Sequence, residues 1–176
     1  MSLFLQAALC CLIGYALGNF SHSFLLALKK GYDIREEGSG NAGATNAFIL
    51  LGKNAFFLTA LLDILKAFAA YTACRLLFPD LRIAGPLGGV FCILGHMYPA
   101  ALGFHGGKGL ASLGGVILGW RWQWFVLLLA LAMMVSLFAA CSKAQETAQT
   151  AAETVQETAQ TAAETAQETA QAAAET

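Results

Sequence analysis

The sequence predicts an all-α fold, a polytopic transmembrane helix bundle followed by a low-complexity helical tail, and three observations carry that expectation. Of 176 residues, 57% are hydrophobic and only 12% charged, with a mean hydropathy of +0.61, too apolar for a soluble domain of this size. The apolar residues collect in runs long enough to cross a hydrocarbon core about 30 Å thick. From Thr147 onward the chain turns into an eleven-residue repeat of alanine, glutamate, threonine and glutamine. Charge divides near the same place. Residues 1–140 hold nine Lys/Arg against five Asp/Glu, whereas residues 141–176 hold one Lys against six Glu. A basic membrane domain at 1–140 joined to an acidic tail at 141–176 follows.

The first run, Leu3–Leu28, is uncharged and long enough to span with some tilt. Asn19, Ser21, His22 and Ser23 make its second half polar, and that end is expected to face protein, not lipid. His22 reads as a packing or headgroup-level histidine ahead of a site wall. No charge precedes the first apolar run, so a cleaved signal peptide is not expected. Residues 29–53 read as a hydrophilic loop. Its Lys29, Lys30, Arg35 and Lys53 outnumber Asp33, Glu36 and Glu37, which should hold it in the cytoplasm.

The second span, 54–78, carries Asp63 and Lys66 at i, i+3, on one helical face where they can pair. Charges inside a span face the bundle interior or a polar cavity. The pair is either structural or part of a site. After a short turn at 79–82 comes a third span, 83–102, loosened by Gly85-Pro86, Gly88-Gly89 and Gly95. Counting spans puts the segment after it on the same side as the first loop. Beyond Lys108, two apolar stretches are separated by Trp120-Arg-Trp-Gln-Trp124, a pattern of interfacial anchoring that favours a break over one long helix.

Two polar, glycine-dense stretches interrupt the apolar chain. Gly38-Ser-Gly-Asn-Ala-Gly-Ala-Thr-Asn46 has three glycines in nine residues, which let main-chain N–H groups converge on an anion. Ser39, Asn41, Thr45 and Asn46 add hydroxyl and amide groups suited to a phosphate or carboxylate. The stretch from Gly95 to Gly109 places Lys108 among Gly106, Gly107 and Gly109. Two such loops at one face predict a phosphorylated ligand between them. Ordinary turn and N-cap chemistry is the other reading of Ser39, Asn41 and Thr45; a positive-inside anchor is the other reading of Lys108, and a helix-end histidine of His96.

In that order, and separated by spans, Gly38–Asn46, the Leu62-Asp63-Ile-Leu-Lys66 segment and Gly95-His96…Pro99…Phe104-His-Gly-Gly-Lys-Gly109 resemble the bacterial acyl-phosphate:glycerol-3-phosphate acyltransferases, the PlsY family. The resemblance covers residues 1 to about 130. It implies a multi-span enzyme of the bacterial inner membrane with its motif loops in the cytoplasm, moving a fatty acyl group from acyl phosphate to glycerol 3-phosphate to give lysophosphatidic acid and phosphate. It also implies Ser39, His96 and Lys108 as catalytic residues. Gly38, Gly40, Asn41, Gly43, Thr45, Asn46, Asp63, Lys66, Gly106, Gly107 and Gly109 would contact substrate. The chemistry agrees: an acyl phosphate is already activated, so the catalyst mainly holds two phosphorylated substrates with the acceptor hydroxyl near the acyl carbon. No cofactor, metal or nucleic-acid partner is implied, and no carboxylate or His cluster has metal-ligand spacing; membrane lipid is the expected surrounding.

The sequence departs from the family at two points. Ile49 stands where an arginine is usual, three residues after the motif asparagine, and a third motif with His, Asn and Glu is replaced by the repeat. That leaves as an alternative a non-enzymatic member, a membrane anchor for an acidic helical tail. A small phosphate-binding membrane protein or transporter has only Asp63 and Lys66 in its favour. Cys10, Cys11, Cys74 and Cys92 sit in apolar runs and are assigned no function. The Leu137-Phe-Ala-Ala-Cys141 segment resembles a lipoprotein signal, set against an incidental cysteine at a small-residue helix end.

Overall fold

A computed structural model describes residues 1–136; Cys141 and the repeat lie outside the described residues. Met1–Val126 form one compact unit. Helix α1 (Leu3–Gly18) starts on Ser2, whose hydroxyl accepts from the Leu5 N–H. Three residues later α2 (His22–Leu28) starts on Ser21, capped in the same way through Phe24. The single uncharged run of the sequence is thus two helices. The break falls where Asn19 and Ser21 offer side-chain hydrogen bonds in place of helical ones.

Residues 44–51, expected as loop, form helix α3 (Ala44–Leu51). Gly52, at φ +88°, separates it from α4 (Lys53–Leu77), a conformation open chiefly to glycine. Helix α5 (Ala84–Met97) tolerates Pro86 because the proline falls in the first turn, where no intrahelical donor is missing. It ends before Pro99 and a 3₁₀ turn, Ala100–Leu102. Helix α6 (Leu110–Trp120) stops at Arg121, and a further apolar helix, Trp122–Ser136, follows, so the chain breaks at the tryptophan cluster as expected. Leu127–Ser136 belongs to a second unit.

Among the described residues, Leu3–Leu28, Lys53–Leu77 and Ala84–Leu102 are long and apolar enough to cross a membrane. Lipid tails are as apolar as leucine, so helices in a bilayer associate by close backbone approach at small residues. The bundle is built that way. A methyl group on Gly14 would lie 2.2 Å from the Gly88 carbonyl oxygen, one on Gly18 2.2 Å from that of Cys92, and one on Gly95 2.4 Å from that of Tyr15. Helices α1 and α5 therefore meet backbone to backbone. Gly88 also faces Cys74 and Ala70 of α4, and Gly115 of α6 rests on the Ile64 carbonyl. These contacts gather α1, α5 and α6 around α4, which carries Asp63.

Candidate active site

Both glycine-rich stretches lie at the same end of the bundle and touch. The Ala42 N–H donates to the Gly106 carbonyl at 3.3 Å, and Ser21 donates its hydroxyl hydrogen to the Ala42 carbonyl at 3.2 Å. Arg35 adds a clamp. Its guanidinium grips Asp33, with Nε 2.9 Å from Oδ1, lies 5.1 Å over the Phe24 ring and donates through Nη1 to the Leu102 carbonyl. One cation so fixes α2, the first loop and the 3₁₀ turn. The hydrogen bond from Arg35 holds the Asp33 carboxyl below the usual carboxylate range.

Asn46 organises the first loop. It is buried, its Oδ1 accepts the Ser39 N–H at 2.8 Å, and its Nδ2 donates to the carbonyls of Ile34 and Glu37 at 2.6 and 3.0 Å. Gly38, at φ +61°, packs so close that a methyl there would lie 2.3 Å from Asn46 Oδ1. Asn41 donates to the Ser39 carbonyl at 2.8 Å. Ser39 is therefore held by both its N–H and its C=O.

A cavity of about 340 Å³ opens between the loops. Of the residues singled out in the sequence, Ser39, Asn41, Gly43, Thr45, Asn46, Asp63, His96, Lys108 and Gly109 line it. Its inner wall is one face of α4, Phe56, Ala60 and Asp63 at i, i+4, i+7. Asp63 sits ten residues into α4, roughly 15 Å along its axis, so the cavity runs from the polar loops past Phe56 and Ala60 to the buried Asp63 and His96.

Two helix N-termini open into it. Neither α3 nor α6 has a side-chain cap. Gly43, Ala44 and Thr45 of the first and Gly109, Leu110 and Ala111 of the second line the cavity. Uncapped first-turn N–H groups and the positive end of the helix dipole favour an anion. Sequence reading missed the first, because α3 is only eight residues long and follows directly on the polar, glycine-rich segment that read as loop.

Several expected substrate contacts have other work. The N–H groups of Gly106 and Gly107 donate to the carbonyls of Met97 and His96, each at 3.1 Å. They close the end of α5 and are not free to cradle a phosphate. Gly107 also leaves room for the His96 ring, since a methyl there would lie 2.3 Å from Nε2. Gly38, Gly40, Gly106 and Gly107 shape the loops without lining the cavity. Lys66 does not line it either. Its Nζ lies 2.8 Å from Asp63 Oδ1 and 2.9 Å from His96 Nδ1, and it donates to the Phe20 carbonyl at 2.6 Å and the Gly18 carbonyl at 3.4 Å. The ammonium thus caps the C-terminal end of α1, where a cation is favoured.

The i, i+3 spacing correctly foretold the Asp63–Lys66 pair, and both residues are buried. Asp63 Oδ1 lies off the hydrogen-bonding direction despite its closeness to Nζ, and it makes no hydrogen bond with a described residue. His22, read as a packing histidine, has Nδ1 3.6 Å from the same oxygen; no sequence spacing links residues 22 and 63. Ile49 is exposed on α3 and does not line the cavity.

The profile of the family described as glycerol-3-phosphate acyltransferase matches residues 8–159, further than the motifs alone reach. A glycerol-3-phosphate acyltransferase of Clostridioides difficile (strain 630) is 45% identical over 111 residues, 60% of this chain and 54% of that one. That of Staphylococcus carnosus (strain TM300) is 42% identical over 127 residues, 65% and 61% of the two chains. This chain thus spans about half to three fifths of the length of these curated relatives. The crystal structure of PlsY (YgiH), an integral membrane glycerol 3-phosphate acyltransferase, in its glycerol 3-phosphate form superposes with a TM-score of 0.70 at 33% identity, covering 75% of this chain and 66% of that one. Its lysophosphatidic acid form gives 0.62 at 35% identity, covering 69% and 60%. The motifs, the helical bundle and the matched length agree that this chain belongs to the glycerol-3-phosphate acyltransferase family.

Proposed function

We propose that the cavity binds glycerol 3-phosphate and acyl phosphate and transfers the acyl group between them, at the cytoplasmic face of a bacterial inner membrane. The observation that carries this reading is the cavity's composition. Lys108, Ser39, Thr45 and two uncapped helix N-termini line its polar end, and Phe56 and Ala60 of α4 with Leu110 and Ala111 of α6 supply its apolar wall. That pattern fits a phosphate attached to a fatty chain. The solved relative named for its glycerol 3-phosphate and lysophosphatidic acid forms supports glycerol 3-phosphate as the acceptor and its acylated derivative as the product, while the acyl phosphate donor rests on the cavity's composition.

In the reaction the acceptor hydroxyl oxygen attacks the acyl carbonyl carbon and the bond from that carbon to the phosphate oxygen breaks. Phosphate leaves with the bonding electrons, and the hydroxyl proton is balanced on the released hydrogen phosphate. No covalent enzyme intermediate is needed. Lys108 and the N–H groups at the starts of α3 and α6 neutralise phosphate charge, while Ser39, Asn41 and Thr45 orient it. Asp63 and His96 form the inner wall.

The test is an assay of membranes carrying this chain, given acyl phosphate and glycerol 3-phosphate. Lysophosphatidic acid should form, and Lys108→Ala should lower turnover by on the order of 10²-fold, the usual effect of removing one electrostatic donor. Equal turnover by the two chains would remove Lys108 from the mechanism; no turnover by either would favour the anchor reading.

A further inference from the structure

Resting on that reading of the cavity, we infer that Lys66 fixes His96 as the Nε2–H tautomer, so that His96 offers the cavity a hydrogen-bond donor and not a base. A lysine ammonium has three protons to donate and no lone pair to accept. Lys66 Nζ has the Phe20 carbonyl, the Gly18 carbonyl and His96 Nδ1 within hydrogen-bonding distance, at 2.6, 3.4 and 2.9 Å. The Asp63 carboxylate, 2.8 Å from Nζ, is its ion-pair partner. A charged amine 2.9 Å from Nδ1 requires a bare lone pair on that nitrogen, so the proton of the neutral ring resides on Nε2.

Nε2 is the atom that matters to the cavity. It lies against the Cα of Gly107, at the junction of the two loops, and His96 lines the cavity although its side chain is only 4% exposed. Among the described residues no protein group accepts from Nε2, so an anionic oxygen of a ligand is the natural partner. Lys66 then serves the site without entering it, as a positioning residue. Its other two neighbours, the Gly18 and Phe20 carbonyls, hold the ammonium at the break between α1 and α2, which makes the tautomer depend on that break.

His105 supplies an internal contrast. Its Nδ1 lies 2.7 Å from the Gly103 carbonyl, which can only accept, so His105 carries its proton on Nδ1. One chain thus holds two histidines in opposite tautomers.

The experiment is ¹⁵N NMR of the full chain labelled in histidine, in lipid nanodiscs at about pH 8, above the ordinary histidine pKa. His96 should show a protonated Nε2 and a bare Nδ1, with His105 reversed. A His96 proton on Nδ1, or an even mixture, would overturn the inference from the native chain alone, whatever the variants do. Lys66→Met, which keeps the stem and removes the donor, should release His96 into a mixture while His105 keeps its own tautomer; an unchanged His96 would also overturn it. Adding glycerol 3-phosphate should move the Nε2–H resonance, and no movement at saturation would refute the donor role. The tautomer is read without turnover. The predicted tautomer in a chain that transfers no acyl group would count against the enzyme reading alone; the opposite tautomer in an active chain would count against this inference alone.

Discussion

The Ala42 N–H donates to the Gly106 carbonyl at 3.3 Å, and this bond brings two segments more than sixty residues apart in the chain to one rim. Gly107 lies beside it, where a methyl group would stand 2.3 Å from His96 Nε2 and 3.0 Å from the Ala42 carbonyl oxygen. Gly107→Ala should therefore displace the His96 ring and part the loops, reducing acyl transfer by at least about tenfold. Gly31→Ala meets nothing within 4 Å, and its cost should be confined to the backbone strain of a positive φ. Activity of the two variants side by side checks the point. Equal losses would mean that loop closure is not what Gly107 provides.

Asn46 gives a sharper test, because its buried amide uses both ends. Asn46→Asp keeps the acceptor for Ser39 but turns an oxygen toward the Ile34 and Glu37 carbonyls in place of their donor. Each unsatisfied buried group costs about 1–3 kcal/mol, and more when charged. Thermal unfolding in detergent should show Asn46→Asp at least as destabilised as Asn46→Ala. A melting temperature near that of the native chain would mean that the loop is held by other bonds.

These two cases mark what the sequence could tell. The shared face of the loops followed from counting spans, and the Asp63–Lys66 pair from its spacing. What Lys66 holds did not, because the Gly18 and Phe20 carbonyls become available only where α1 breaks, and an uncharged run from Leu3 to Leu28 hides the break. Gly106 and Gly107 misled in the same way. Glycine density marks a backbone that approaches something closely, and here the close neighbours are His96 and Met97 as much as any ligand.

Helix packing predicts its own failures. Gly18→Ala would drive a methyl to 2.2 Å from the Cys92 carbonyl oxygen and 2.9 Å from the Gly95 Cα. Backbone cannot yield as a side chain tip does, so overpacking of roughly 1–3 kcal/mol or more is expected. The α1–α5 contact would open and the melting temperature in detergent would fall. A Gly18→Ala chain as stable as the native one would show that these helices do not meet as closely as described.

The Asp33–Arg35 clamp should respond to acid in one direction. Arg35 lowers the Asp33 pKa chiefly through their hydrogen bond, so the folded state holds fewer protons than the unfolded one between the two values. The clamp's stabilisation is complete above the unfolded pKa of about 3.9 and is lost as pH falls through the lower folded value. The Arg35 amide, bonded to Asp33 Oδ1 at 2.9 Å, reports it. Corrected for intrinsic rates, its hydrogen exchange should stay constant from about pH 8 to 5 and quicken only below about pH 4. Quickening near neutral pH would point to a different group.

The central claim is that the serine-bearing and lysine-bearing loops open on one aqueous compartment and grip one ligand. Single cysteines at positions 39 and 108, placed in a chain stripped of its native cysteines, can be reacted with a membrane-impermeant maleimide in sealed vesicles of known orientation. Both should label from the same side, and glycerol 3-phosphate should slow both reactions. Labelling of Ser39→Cys from one side and Lys108→Cys from the other would contradict the account.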